Sequence, residues 1–343
     1  MTLPLEPPLD PMLAKLARAI PEGEGWVYEP KWDGFRAIIY RDSDGARIMS
    51  RDNKPLNRYF PEVAETLEKA FPEPCVVDGE VVVTDEDGFD FDLLSQRIHP
   101  AASRVKMLAE TTPAGFIAFD TLAVGDRSLI DEPLTARRAE LLDLIDEETS
   151  GPGEVFDRLN ADPCATIVTP QVDDVEVARP WLVEFEDRGL DGVVAKKVDD
   201  VYSPGKRTMV KIKNERTADC VVAGYRVHKS GDGVGSLLLA LYDAEKNMHY
   251  VGHTASFKAK ERPELLELVR PYAAEGSGFG TGRAPGGPSR WTAQKDHSFV
   301  ALEPRLVCEV AFDRMINGRF RHATRFVRWR PDKPPEDCTF EQL

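Results

Sequence analysis

Between Trp26 and Tyr40 the sequence reads WVYEPKWDGFRAIIY, two short β-prone runs held apart only by PKWDG. A link of that length is a turn, whereas parallel neighbours need a crossover of roughly a dozen residues or more. The segment therefore points to antiparallel sheets rather than repeated βαβ units. The same texture continues in the apolar runs Ala46 to Arg51, Cys75 to Thr84, Gly115 to Val124, Ala165 to Val172 and Gly192 to Lys197. Apolar residues recur every three to four positions over Pro11 to Ile20, Pro61 to Phe71, Phe91 to Ile98, Thr135 to Ile145 and Val175 to Asp187, which predicts helices there. The expected class is α+β.

The pattern changes after Glu215. Ala218 to His228, Gly235 to Asp243 and His249 to His253 read as successive strands, and Ala259 to Ala274 reads as a helix. A glycine- and proline-rich stretch from Gly276 to Ser289 predicts a long loop, and two further strands are expected at Arg305 to Phe312 and Phe326 to Trp329. Five strands with one helix fit an OB-type β-barrel, a fold often used on nucleic acids. The expected boundary falls near Asn214 to Arg216, giving domains 1–215 and 216–343.

No apolar run approaches the ~18 residues that a membrane span requires, and MTLPLEPPLDPMLAK has no secretory pattern. The expected location is the cytoplasm. The five cysteines lie apart with no CxxC pair, which argues against both a disulfide framework and a zinc ribbon. A formal net charge of -15 speaks superficially against a phosphate-rich partner, but the charge is segregated. Glu62 to Asp92 holds eleven acids and one base, and Asp131 to Arg188 sixteen acids and five bases. By contrast, Lys196 to Lys229 holds nine bases and four acids, and Arg314 to Lys333 seven bases and one acid. The two acidic stretches are expected to face solvent for the most part, Asp78 and Glu80 excepted.

Several segments place chemistry-bearing residues among these elements. Lys31 lies in the Trp26 to Tyr40 turn with Gly34 beside it, so it can face a pocket, and burial beside other cations would lower its pKa and make it a nucleophile. Taken alone, K-x-D-G reads as an exposed turn lysine. In CVVDGEVVV, Asp78, Gly79 and Glu80 interrupt a β run, either as a carboxylate beside buried valines or as a hairpin tip. Phe119 in GFIAFDTL reads as core. In MVKIK, period-two spacing sets Lys211 and Lys213 on one sheet face, where two like charges suit an anion or a solvated edge. No GxxxxGK[ST] phosphate loop occurs, and GDGVGS from Gly231 to Ser236 lacks the strand-helix setting of a dinucleotide fingerprint and reads as a hairpin turn.

In this order the segments resemble the covalent nucleotidyltransferase superfamily, specifically the ATP-dependent DNA ligases and among them the short ligase C class of actinobacteria. EPKWDGFR resembles the first motif, so the resemblance implies that Lys31 carries covalent AMP while Glu29 and Arg36 belong to the nucleotide site. Arg51 in MSRDNKPLNRYFPE matches the arginine that binds the nucleotide and the DNA 5′-phosphate. VDGE implies Glu80 near the ribose and metal, FIAFDTL implies Phe119 against adenine, and Arg207 with Lys211 and Lys213 resembles the end of the core. RFVRWRPDK is similar to the barrel motif, which implies that Arg330, Asp332 and Lys333 act on pyrophosphate. Asp191-Gly192 stands where the family usually has Glu-Gly, so a shorter carboxylate must reach the metal.

The resemblance implies nick sealing in duplex DNA in three steps: transfer of AMP from ATP to Lys31, transfer to a 5′-phosphate, and attack by a 3′-hydroxyl. It implies Mg²⁺ held through Glu80 and Asp191, with Mn²⁺ as a substitute, and a minimal, monomeric ligase of DNA repair with a repair polymerase as possible partner. RNA ligation or capping would also use Lys31, although capping needs GTP and the ending RFVRWRPDK resembles the DNA ligases. A non-catalytic barrel that only binds single strands would have no need of Lys31, Glu80 and Lys213 together. An NAD-dependent ligase would need a longer chain and a zinc module.

Overall fold

Strand positions follow the period-two pattern, and their pairing sets the architecture. The computed structural model describes residues 3–145, 148–213, 216–275, 285, 298–316 and 318–343. The chain divides into two compact units, Met1–Asn214 and Glu215–Leu343. The strands of the first are β1 (Leu13–Ala17), β2 (Trp26–Pro30), β3 (Phe35–Asp42), β4 (Gly45–Ser50), β5 (Cys75–Val82), β6 (Gly115–Val124), β7 (Arg127–Ser128), β8 (Thr166–Val168), β9 (Val193–Lys197) and β10 (Arg207–Ile212). One sheet has the order β4-β3-β5-β6-β7 with β8 beside β6, and a smaller one has the order β1-β10-β9-β2. Pairing is antiparallel except for β1 with β10 and β8 with β6.

The two strands that flank the PKWDG turn do not pair with each other. β2 joins the smaller sheet beside β9 and β3 joins the larger beside β5, so the turn carries the chain, and Lys31 with it, from one sheet to the other. Alternation along β5 explains how the larger sheet serves both a core and a site. Val77 and Val81 join an outer core with Phe60, which caps the helix Pro61–Ala70, with Val63 and Leu67 of that helix, and with Leu141 of the helix Leu134–Leu144. Val76 and Val82 face the other way. Val82 meets Tyr28, Val193, Ala195 and Ile212 of the smaller sheet, and Val76 meets Met209 and Tyr202. Period two puts Asp78 and Glu80 on that same inner face. They are interior to an unbroken strand, not a hairpin tip, because β5 is central and paired on both edges.

Pro11 to Ile20 is not a helix. Its apolar positions mimic helical spacing, yet Leu16 is 64% exposed, and the segment gives β1 as a parallel edge partner to β10, with long-range pairing prevailing over local pattern. Val175 to Asp187 forms two short helices, Val175–Ala178 and Trp181–Glu184, because Pro180 interrupts the ladder. Helices at Ala102–Thr111 and Pro152–Ala161 were not anticipated.

In the second unit the strands are β11 (Arg216–Val227), β12 (Val234–Tyr242), β13 (Met248–Thr254), β14 (Val300–Ala301), β15 (Val307–Phe312), β16 (Met315–Ile316), β17 (Arg319–Phe320) and β18 (Arg325–Trp329). The main sheet runs β13-β12-β11-β15-β18, all antiparallel. A parallel bridge from Thr254 to Thr324 closes it, with the Thr254 hydroxyl donating to the Thr324 carbonyl at 2.9 Å. Taking β11, β12, β13, β15 and β18 as strands one to five, strand one pairs with two and four, four with five, and three closes on five around a core that includes Val221, Leu239 and Val310. This is the OB arrangement, with the helix Glu261–Val269 between the third and fourth strands. Gly231 to Ser236 spans the β11–β12 hairpin and the start of β12. The Gly276 to Ser289 stretch lies outside the described residues except for Pro285. Among the described residues no helix is long and apolar enough to cross a membrane.

Candidate active site

Lys31 is fixed at the crossing between sheets by its own backbone. Its amide donates to the Gly192 carbonyl at 2.8 Å, and its carbonyl accepts from the Asp191 amide at 2.9 Å. Gly192 has φ +130, and a Cβ there would lie 2.0 Å from the Ile212 carbonyl oxygen, so only glycine fits. This clamp brings the side chains together. Lys31 Nζ lies 2.6 Å from Asp191 Oδ2, and Lys213 Nζ lies 2.8 Å from the same oxygen.

The inner faces of the two sheets enclose a cavity of about 430 Å³. Lys31, Glu29, Arg36, Arg51, Glu80 and Phe119 line it, and so do Arg207 and Lys211. Eight residues expected from scattered motifs thus meet around one space, and Lys213 and Asp191 stand beside it through the Lys31 ion pair. Phe119 is 9% exposed, with the Arg36 guanidinium 4.4 Å from its ring centroid. Arg36 is held by two 2.6 Å hydrogen bonds to the buried Asp78 carboxylate, which also accepts from the Tyr202 hydroxyl at 2.6 Å. Arg330 and Lys333 belong to the second unit. There Arg330 donates to both Asp219 oxygens at 2.9 Å and to Asp332 at 2.8–3.1 Å, and its carbonyl accepts from the Lys333 amide.

The electrostatics differ from the expected lowered lysine pKa. Burial does act to lower the Lys31 pKa, but the Asp191 carboxylate, reinforced by Glu80 and Asp33, outweighs it and holds the ammonium above its ordinary value. Burial would raise Asp191, yet Lys31 and Lys213 together keep its carboxyl below the usual range. Lys211 is the site lysine pushed down, by burial and then by the charges of Lys31 and Lys213. Burial pushes Glu80 up to about 7 against the opposing pull of Lys31 and Arg36.

Lys196 was not anticipated as a site residue. It shares the inner face of β9 with Val194, and its Nζ lies 2.7 Å from Glu29 Oε2 and 5.0 Å from the Phe119 centroid. Gln171 donates to the other Glu29 oxygen at 2.8 Å. Its signal in the sequence was a lysine two positions from Val194 inside a buried run. Asp78, which orients Arg36, was marked by its place among buried valines in CVVDGEVVV, whereas Tyr202, which holds Asp78, carried no comparable signal. The described residues contain no group of three His, Cys, Asp or Glu side chains able to hold a metal unaided. A divalent cation bound through one or two carboxylates and substrate phosphate needs no such group, so Glu80 and Asp191 suit that donor set.

A half-buried lysine among cations that could receive phosphates, beside an aromatic platform and followed by an OB barrel, defines a nucleotidyltransferase. The family model for the ATP dependent DNA ligase domain matches residues 11–213, and that for the ATP dependent DNA ligase C terminal region matches 230–333. The chain belongs to the ATP-dependent DNA ligase family. Within it the chain is of the short bacterial ligase C type. DNA ligase C1 of Mycolicibacterium smegmatis is 49% identical across the whole chain and 96% of its own length. DNA ligase C of Mycobacterium tuberculosis is 48% identical with the same two coverages. A solved Lig E DNA ligase shares the fold at a TM-score of 0.55 and 17% identity, covering 93% of this chain and 99% of that one.

Proposed function

We propose that the chain seals 3′-hydroxyl/5′-phosphate nicks in duplex DNA through AMP covalently bound to Lys31. The observation that carries this reading is the convergence of Lys31 with Arg36, Arg51, Arg207 and Lys211 on the cavity beside Phe119. Neutral Lys31 Nζ attacks the α-phosphate of ATP, the bond to pyrophosphate breaks, and a phosphoramidate forms. The lysine must first give up the proton that Asp191 stabilises. Lys211 and Lys213 disperse charge on the α-phosphate, and Arg330 and Lys333 on the leaving group, the main catalytic work in such transfers. AMP then passes to the nick 5′-phosphate, which Arg51 receives, and the 3′-hydroxyl displaces it. A divalent cation, Mg²⁺ or in its place Mn²⁺, held by Glu80 and Asp191 would supply further neutralisation of phosphate charge.

Glu29 and Lys196 set an acceptor and a donor side by side in the cavity that Phe119 also lines, an arrangement suited to the hydrogen-bonding edge of a purine base. Lys196→Met is expected to raise KM for ATP, measured as nucleotide transfer to the protein.

The decisive experiment is incubation with labelled ATP, mapping of the adduct, and addition of nicked DNA. Label should appear on Lys31, discharge on nicked DNA, and vanish in Lys31→Arg, because an arginine is not deprotonated for attack. A labelled Lys31→Arg protein would overturn the assignment. A role in DNA repair, a repair polymerase as partner, a monomeric state and a cytoplasmic location complete the reading; the repair role is supported by a likeness, at 26% identity over 92% of this chain, to a protein of Mycobacterium tuberculosis named multifunctional non-homologous end joining DNA repair protein LigD.

A further inference from the structure

Behind the cavity wall, Arg36 belongs to a closed ring of hydrogen bonds. Its guanidinium donates from Nε and Nη2 to the two oxygens of Asp78, each at 2.6 Å, and again from Nη2 to the Met12 carbonyl at 3.3 Å. The Tyr202 hydroxyl donates to Asp78 Oδ2 at 2.6 Å and accepts from the Met12 amide at 3.0 Å. The ring thus runs from Arg36 through Asp78, Tyr202 and Met12 back to Arg36. It engages Nε and Nη2 and leaves Nη1 outside it, on a residue that lines the cavity.

The partners of Tyr202 settle which way its proton points. A hydroxyl has one proton to give and the Met12 amide can only donate, so that proton goes to Asp78. Burial, and then the Asp78 charge, hold the phenol well above its ordinary pKa, which keeps it a donor. Its place is fixed as firmly as its proton. Tyr202 is 2% exposed, its amide donates to the Ile130 carbonyl at 2.9 Å, and its ring centroid lies 5.7 Å from the Arg137 guanidinium. Arg137 is itself bound to both oxygens of Asp120, at 2.7 and 3.0 Å, and Asp120 stands opposite Asp78 where β5 pairs with β6.

A fork between a guanidinium and a carboxylate fixes the two groups relative to each other, but the pair can still turn together about the aspartate side chain. A third bond on the carboxylate, from Tyr202, stops that turn. The phenol therefore decides where the Arg36 guanidinium stands, 4.4 Å from the centroid of the Phe119 ring. Small displacements of a group that positions substrate are costly in such sites.

We propose that Tyr202 is a positioning residue for ATP: acting through Asp78, it holds the Arg36 guanidinium where it binds the nucleotide beside Phe119. This rests on the reading of the cavity as the ATP site.

The test follows label transfer from ATP to the full chain, over a range of ATP concentrations, in the wild type, Tyr202→Phe, Arg36→Gln and the double variant. Tyr202→Phe removes one hydroxyl and should raise KM for ATP about three- to tenfold, the range for loss of one hydrogen bond, while the maximal rate per active molecule is kept. In the Arg36→Gln background the same substitution should add nothing to KM, because the two residues act as one unit. A role in folding alone would lower the fraction of protein that takes label and leave KM untouched in both backgrounds. Replacing Tyr202 by para-aminophenylalanine fills the same space and keeps a donor toward Asp78, so KM should stay at the wild-type value; this variant carries the test if Tyr202→Phe does not fold, since a raised KM there would overturn the proposal. Wild-type KM in Tyr202→Phe, or a rise that recurs undiminished without Arg36, would overturn it equally. If the wild type takes no label, the ligase reading falls and this inference with it; a labelled wild type with an unchanged Tyr202→Phe strikes this inference alone.

Discussion

Glu80 shows how a carboxylate lining the candidate site can oppose stability. In the unfolded chain a glutamate ionises near 4.5, whereas burial pushes this one up to about 7 in the folded protein. The folded state therefore holds an extra proton between those values. Below 4.5 both states are protonated and there is no penalty; stability then falls as pH rises toward 7, and above it the full cost of a buried carboxylate remains. Glu80→Gln should raise stability at pH 8 by up to about 3 kcal/mol and flatten the dependence between 4.5 and 7, read from thermal unfolding midpoints across pH, while nick sealing is lost. At this scale the motifs revealed Lys31, Arg36, Arg51, Glu80, Phe119 and Lys211, since each sits in a distinctive short string. Lys196 was hidden because a lysine that pairs with Glu29 inside the fold looks, in a string ending AKK, like one that faces solvent. The sign of the Lys31 shift was equally hidden, since Asp191 meets it only through the Gly192 clamp.

At the scale of elements, alternation located most strands to within a few residues, because a buried sheet face imposes period two regardless of partner. Which strand joins which sheet was not legible. β2 and β3 are five residues apart in sequence yet belong to different sheets, a consequence of the pairing of β2 with β9 and β3 with β5. The same long-range choice turned the helix-like Pro11 to Ile20 into β1. The turn at Gly192 is where this arrangement is most exposed to mutation. Gly192→Ala combines a left-handed backbone with a Cβ at 2.0 Å from a carbonyl oxygen and should cost about 2 kcal/mol or more. A melting point lowered by several degrees, with adenylation reduced even below that temperature, is the expected outcome; an unaltered melting point would mean that the clamp is not rigid.

For the molecule as a whole, the net charge of -15 conceals a division of labour. The acidic stretches are not wholly given over to solvent, since Glu62 of the first receives the buried Arg97 at 2.6 Å and Arg137, a base of the second, is buried against Asp120 at 2.7 Å. Cations remain where phosphates would come. An acidic protein with local basic surfaces should lose nick affinity steeply with salt, whereas ATP in an enclosed cavity is less screened. Raising salt from 50 to 200 mM should weaken nick binding at least tenfold and change the rate of Lys31 adenylation by much less, as seen by anisotropy and label transfer. The strand pairing also sets a timetable for biosynthesis. Lys31 leaves the ribosome early, but Asp191 follows about 160 residues later, and Lys213 later still. At ~5–20 residues per second Lys31 waits roughly 8–30 s for the carboxylate it pairs with in the folded protein. A nascent ligase therefore passes through most of its synthesis unable to consume ATP, and ribosome-bound chains halted before residue 191 should carry no AMP.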